Sequence, residues 1–261
     1  MHWIIQDNYD WDKGTKELIN ILERNDVPHT FHKVIPFVGD IEPEINPKGY
    51  VICIGSYSMR HVAKKYNWYP GVYDIGHISL LEMNIHWGHN MLNYNSRCIP
   101  FGSIPEYLPN YDNDIFIRPI FDSKVFSGNV FQKKELMEWH GKVMKLENDH
   151  TSIDLTKDTM IIMAPPKPIW SEYRTWIVNN RVITASQYKS GGRVVYSFHV
   201  DQYIIDFAQY MANIWGPAKT YVLDIGITED GPKIVEANTL NAARFYHCDM
   251  FKLWAALEMD P

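Results

Sequence analysis

Two carboxylates and an amide stand at strand-like spacing in residues 221–241, which read YVLDIGITEDGPKIVEANTLN. Apolar runs at 221–227 and 233–237 predict two strands, and Glu229-Asp230-Gly231 predicts the turn that joins them into a hairpin. Side chains two apart on a strand point to the same face. Glu236 and Asn238 therefore point together, with Ala237 opposite, and Asp224 can face them across the hairpin. Three oxygen-bearing side chains on one face of an otherwise apolar hairpin suit a hard cation such as Mg²⁺. Mg²⁺ keeps several waters and is usually completed by substrate phosphates, so a nucleotide is the implied partner.

Such a hairpin needs a scaffold, and the rest of the chain supplies strand and helix signals for one. Strands are predicted at 3–6, 34–38 and 50–54, and helices at 14–24 and 58–66. This alternation predicts a small parallel sheet with crossover helices. Gly55-Ser56 at the end of the third strand reads first as a plain strand-to-helix turn, with a ligand contact as the alternative. Residues 85–113 are rich in Asn, Gly, Pro and Tyr and read as a connecting region. A second pattern then begins. Strands are predicted at 115–120, 159–163, 173–178 and 181–188, and helices at 132–143 and 199–215. Asn179-Asn180 predicts a tight turn between two of these strands.

The ordered set of segments resembles the ATP-grasp superfamily. Residues 221–241 resemble its metal-binding hairpin, an acidic residue followed by a Glu-x-Asn pair. Asp114-Ile115-Phe116-Ile117-Arg118-Pro119 resembles the strand whose terminal basic residue touches the nucleotide phosphates, and residues 121–128 resemble the phosphate-covering loop. Residues 161–164 resemble the strand leading to the adenine-contacting linker, and Ser171-Glu172-Tyr173-Arg174 resembles the ribose-holding acid followed by a strand. Arg118 stands where Lys is common, the covering loop has a single glycine, Gly128, and no acid precedes the linker at Met163 or Ala164. The arginine-rich variation resembles the clade named for two arginines and a lysine, frequent in phage genomes.

The resemblance implies an α/β (α+β) ATP-grasp fold. It would comprise an N-terminal Rossmann-like α/β pre-ATP-grasp domain at 1–100, a lid subdomain at 110–165 and a C-terminal antiparallel-sheet subdomain with the metal site at 166–261. It implies a ligase that uses ATP and Mg²⁺, with Mn²⁺ as a substitute, to activate a carboxylate as an acylphosphate for attack by an amine or a thiol. The alternatives are a kinase-like enzyme and a nucleotide-binding regulator without turnover. Asp224, Glu236 and Asn238 would hold the metal. Arg118 and Lys124 would bind phosphates, Ala164 would meet the base and Glu172 the ribose. Lys189 and Arg193 would bind the γ-phosphate or a carboxylate substrate, and Arg244 a substrate carboxylate. Arg174 would line the acceptor pocket or pair with Glu172.

The bulk properties exclude several other classes. The 261 residues carry a net charge of −6, which argues against a nucleic-acid partner. Cys53, Cys98 and Cys248 are isolated, so neither a zinc knuckle nor a disulfide framework is expected. A cytoplasmic setting, cellular or phage-infected, follows as the expectation, since the start lacks a signal-peptide pattern and no apolar run approaches membrane-spanning length. The pairs His29/His32 and His86/His89 have no accompanying acid at a characteristic spacing and read as structural or surface residues. Ser56 and Ser58 lack a nucleophile-elbow context, and no Walker-type phosphate loop occurs. Small-molecule or peptide carboxylates and amines are the expected substrates; the sequence leaves the oligomeric state open.

Overall fold

The computed structural model describes residues 1–36, 38–121, 125–148 and 154–259. Lys124, the expected lid lysine, lies outside them. The described chain divides into two compact units, Met1–Gly76 with Ile169–Pro261, and His77–Pro168.

The first unit opens on the predicted parallel sheet. Strands β1 (His2–Gln6) and β4 (Tyr50–Ile54) bury Trp3, Ile4, Ile5, Val51, Ile52 and Cys53 completely. Parallel strands covered on both faces require such unbroken apolar runs. Helix α1 (Lys13–Arg24) follows β1 and buries Leu18, Ile19 and Leu22, while α2 (Met59–Tyr66) follows β4. The strand expected at 34–38 is instead β2 (His29–Ile35). Its polar first half escapes a hydrophobicity reading because it is held by parallel pairing with β1 and by a His2–Thr30 side-chain contact of 2.9 Å. The edge strands β3 (Asp40–Glu42) and β5 (Tyr69–Gly71) complete the order β3-β2-β1-β4-β5. The turn at Gly55-Ser56 is internal: Gln6 Oε1 accepts from both the amide and the hydroxyl of Ser56, each at 2.8 Å.

The second unit holds α3 (Leu80–Trp87), β6 (Arg97–Pro100), α4 (Ile104–Tyr107), β7 (Ile115–Pro119), β8 (Asn129–Phe131), α5 (Lys133–Asn148) and β9 (Met160–Ala164). Its four-stranded sheet has the order β6-β9-β7-β8 with antiparallel neighbours throughout. Ile115 and Ile117 face a core with Phe101, Leu136 and Met163. The alternate residues Phe116 and Arg118 lie against Gly128, where an added Cβ would crowd both.

The remainder of the first unit is an antiparallel sheet of order β12-β11-β10-β13-β14. Its strands are β10 (Ser171–Val178), β11 (Arg181–Ser190), β12 (Arg193–Ser197), β13 (Tyr221–Thr228) and β14 (Gly231–Asn238), with helices α6 (Gln202–Ile214) and α7 (Met250–Met259). Asn179 and Asn180 take φ of 48° and 61°, the left-handed pair that a tight two-residue hairpin demands. Helix α6 packs on β10, β11 and β13, burying Ile204, Ala208 and Met211. On the other face, Trp176, Val178 and Val222 join Leu18 and Leu22 of α1 and Leu253 and Leu257 of α7 in one core with Trp3 and Ile52. The two sheets of the first unit thus share a core. Among the described residues, no helix is long and apolar enough to cross a membrane.

Candidate functional site

The hairpin forms in the register its alternation requires. Asp224 stands opposite Glu236, and Val222 opposite Asn238. A register shift beside Asp224 sets Ile225 against Ile234 and leaves Val235 as the extra residue. Asp224, Glu236 and Asn238 therefore share one face, as the spacing predicts. Asn238 Nδ2 donates to Glu236 Oε1 at 2.9 Å, which leaves the amide oxygen to accept elsewhere.

Arg174, for which pairing with Glu172 is one expectation, pairs with Asp224 instead, because the neighbouring strand β13 brings that carboxylate beside it. On β10 it stands in register with Asp224, and its Nε and Nη2 donate to Oδ1 and Oδ2 at 2.8 and 2.7 Å. Both residues are buried, at 8% and 2% exposure. Burial holds the Asp224 carboxyl above its ordinary value, helped by the charges of Glu236 and Glu172, and the Arg174 charge and hydrogen bonds offset only part of that rise. Burial likewise opposes the Arg174 charge, but Asp224 outweighs it and holds the guanidinium above its ordinary value. Such a fork-to-fork pair offsets part of the cost of burying each charge. Arg174 Nη1 also donates to the Arg244 carbonyl at 3.4 Å, and its guanidinium lies 5.0 Å from the Tyr246 ring centre and 5.8 Å from that of Tyr188.

Glu172, two residues before Arg174, takes different partners. It accepts from the Tyr188 hydroxyl and from Lys189 Nζ, both at 2.7 Å. Burial pushes the Tyr188 phenol up, reinforced by the charges of Asp224 and Glu172, so Tyr188 serves as a proton-bearing donor. Lys189 and Arg193 flank the Gly191-Gly192 turn, at φ of 54° and 76°, with Lys189 turned to Glu172 and Arg193 exposed. Arg244 is half exposed, 3.6 Å from the carboxylate of Asp10. Glu172, Arg174, Lys189, Asp224, Glu236 and Asn238 thus occupy one sheet. Arg118 and Ala164 belong to the second unit, on the paired strands β7 and β9, where Arg118 stands opposite Ile162 and Ala164 opposite Phe116.

The donor set fits Mg²⁺ in kind: two carboxylates and an amide oxygen, all hard, on a rigid hairpin. Each Asp224 oxygen accepts one hydrogen bond from Arg174 and keeps further lone-pair capacity. Among the described residues, no group of three or more His, Cys, Asp and Glu side chains is arranged to hold a metal ion, and Asp224, Glu236 and Asn238 contain only two such side chains. No local signal in the sequence marks Tyr188 and Tyr246 as the walls around Arg174. Asp12, which caps α1, also grips this region from 233 residues away.

Comparison with known proteins agrees with this architecture. The chain is similar over 98% of its length to the ATP-grasp ligase PsnB complexed with minimal precursor, covering 98% of that chain at 13% identity and a TM-score of 0.58. It is similar to D-cycloserine synthetase DcsG over 99% of both chains, at 9% identity and a TM-score of 0.60. It is also similar to the RimK domain protein ATP-grasp from Sphaerobacter thermophilus DSM 20745, over 92% of this chain and 91% of that one, at 10% identity and a TM-score of 0.57. At these identities the likeness is one of fold. No curated protein sequence matches the chain. The family described as an ATP-grasp domain, family 3 of the clade named for two arginines and a lysine, matches residues 64–257, most of the chain. With that match and the ATP-grasp architecture of its structural neighbours, the chain belongs to the ATP-grasp family, in the clade named for two arginines and a lysine.

Proposed function

We propose that this protein is an ATP- and Mg²⁺-dependent ligase that activates a carboxylate as an acylphosphate and passes the acyl group to an amine. The observation that carries the reading is the shared face of Asp224, Glu236 and Asn238 in register, with Arg174 holding the Asp224 charge. Bound there, Mg²⁺ would neutralise nucleotide phosphates and orient the transferred phosphoryl group. Glu236 and Asn238 supply the more accessible oxygens, and Asp224 the buried one. Arg118 is proposed to meet phosphates through its planar fork, and Lys124 to do so from outside the described residues. Glu172 is proposed to accept from the ribose hydroxyls, and Ala164 to lie against the base. Lys189, Arg193 and Arg244 are the proposed cations for the γ-phosphate and the substrate carboxylate. A carboxylate oxygen attacks the γ-phosphorus and ADP leaves. The amine nitrogen then attacks the acyl carbon, phosphate departs, and the nitrogen gives up a proton. The protein's part is positioning and charge neutralisation.

The test is an ADP-release screen of ATP and Mg²⁺ with pools of amino acids, small carboxylates and peptides, with products read by mass spectrometry. A product one water lighter than acid plus amine, formed with equimolar ADP and phosphate, is the expected result. Glu236→Gln should reduce turnover by about 10²-fold or more while the circular dichroism spectrum is unchanged. ADP formation with a stable phosphorylated product would identify a kinase instead. Unchanged Mg²⁺-dependent turnover in Glu236→Gln would remove the metal assignment.

A further inference from the structure

The first turn of α1 reaches into the neighbourhood of the candidate metal site through one side chain. Asp12 caps α1, its Oδ1 accepting from the amide and the hydroxyl of Thr15, each at 2.8 Å. Its other oxygen, Oδ2, accepts from the backbone amides of Phe245 and Tyr246 at 2.7 and 3.0 Å. Both oxygens of one carboxylate are thus divided between a helix start and a segment 233 residues later. An ordinary cap needs only the first pair.

The second pair fixes an unusual piece of backbone. Tyr246 has φ of +50°, in the left-handed region that a bulky residue enters only when its surroundings impose it. Gly14, beside the cap, packs so closely on Phe245 that any side chain there would overlap it. Held in this way, the Tyr246 ring lies 5.0 Å from the Arg174 guanidinium. It stacks with both Tyr188 and Tyr196, with ring centres 5.1 and 5.3 Å away and interplanar angles of 19° and 20°. Arg174 in turn grips Asp224 with two hydrogen bonds. A continuous chain of contacts therefore runs from Asp12 through the Tyr246 backbone and ring to Arg174 and then Asp224. All its members belong to the first compact unit.

We propose that Asp12 is a positioning residue for the metal site: by clamping the Phe245 and Tyr246 amides it sets the Tyr246 ring against Arg174 and so holds Asp224 in its metal-binding orientation. The proposal rests on the metal reading of Asp224, Glu236 and Asn238. Asparagine at position 12 keeps one accepting oxygen but turns an N–H₂ toward two N–H donors or toward Thr15, so it cannot serve both ends. Removal of outer contacts that orient a metal ligand typically costs about 10- to 100-fold in metal affinity.

The experiment measures Mn²⁺ binding in the presence of ADP by electron paramagnetic resonance, on the full chain. The wild type should bind and Glu236→Gln should not, which tests the metal reading itself. Asp12→Asn and Tyr246→Ala should each weaken Mn²⁺ binding about tenfold or more, and the double variant should be no weaker than the worse single one. Tyr246→Phe, which keeps the ring, should bind as the wild type does. Thr15→Val, which disturbs only the cap side of Asp12, should lower thermal stability without changing Mn²⁺ affinity. Should Asp12→Asn fail to fold, Asp12→Ser, which can cap α1 but is too short to reach the Phe245 and Tyr246 amides as well, takes its place; unchanged affinity in the folded Asp12 variant would overturn the positioning role. Unchanged affinity in Tyr246→Ala, or additive losses in the double variant, would overturn the positioning role with the metal reading intact. Absence of Mn²⁺ binding by the wild type would overturn both.

Discussion

The two faces of the β10–β13 pair are made from alternate residues of the same strands, yet they carry opposite chemistry. On one face Thr175, Ile177, Leu223 and Ile225 are fully buried, with the Thr175 hydroxyl donating to the Leu223 carbonyl at 3.0 Å. On the other, Trp176 and Val222 are equally buried, but the next positions along are Arg174 and Asp224. The first face is apolar apart from Thr175, whose hydroxyl is satisfied by the backbone. The second is apolar where α1 and α7 cover it and turns ionic where the strands reach the candidate site. Buried charge is tolerated there because the pair is complete. Both hydrogen bonds from Arg174 to Asp224 are of normal length, and the Tyr188 and Tyr246 rings lie over the guanidinium.

The contrast can be broken most severely at Arg174. Arg174→Met should destabilise the protein by about 3–5 kcal/mol, because it strands a buried carboxylate. Adding Asp224→Leu should recover most of that loss while leaving no Mg²⁺-dependent activity, both read by urea denaturation and ADP release. Asp224→Asn is a poor probe of function alone for the same reason, since it orphans the guanidinium. The apolar face offers the matched control. Leu223→Ala should cost about 2–5 kcal/mol by opening a cavity, with the Mg²⁺ requirement of the folded fraction unchanged. A shifted Mg²⁺ requirement in that variant would show that the two faces are not independent.

Asn241 tests the link between the two sheets. It is buried, it donates to the Cys53 carbonyl at the end of β4, and it accepts from the Tyr73 amide. Asn241→Ala leaves both backbone groups without that partner, and about 2–4 kcal/mol is expected from the two losses. The smallest effect is expected at Asp249, whose carboxylate accepts from the Lys252 amide at 3.1 Å at the start of α7. Burial pulls this carboxyl up, but the Lys252 amide and ammonium outweigh it, and its value sits below the ordinary one. The stabilisation is therefore full above about pH 4, the unfolded value, and is lost as pH falls through the lower folded value. Asp249→Ala should cost about 1 kcal/mol at neutral pH, and the gap from wild type should close in acid. A gap independent of pH would assign the effect to packing.

Much of the fold is legible in advance, for a physical reason visible in particular elements. Tyr50–Ile54 is a strand at the predicted limits, because a parallel strand buried along nearly its whole length must be apolar throughout. Asn179-Asn180 announces its turn because few residues accept two successive positive φ values. Strand β2 departs from its predicted limits because backbone pairing with β1, not apolar content, holds its first half. Helix α5 ends at Asn148, past its predicted end at 143. The extra turn is made mostly of Met, Lys, Leu and Glu, whose helix propensity carries it on without an amphipathic pattern.

For the site, sequence alone determines the co-facial set of Asp224, Glu236 and Asn238, since a period of two along paired strands is a local property. The superfamily likeness, likewise, is carried by segments read in order. Only the tertiary structure decides what Arg174 does. Its sequence neighbour Glu172 is held by Tyr188 and Lys189 of β11, while Arg174 faces Asp224 of β13 on the opposite side of β10. That β11 lies on one side of β10 follows from the local Asn179-Asn180 turn, but that β13 lies on the other is a matter of sheet order, fixed by packing between segments dozens of residues apart. The grip of Asp12 on Phe245 and Tyr246 lies still further from any local pattern. It exists because α1 and the segment after β14 are pressed into one core, and no spacing along the chain encodes that meeting.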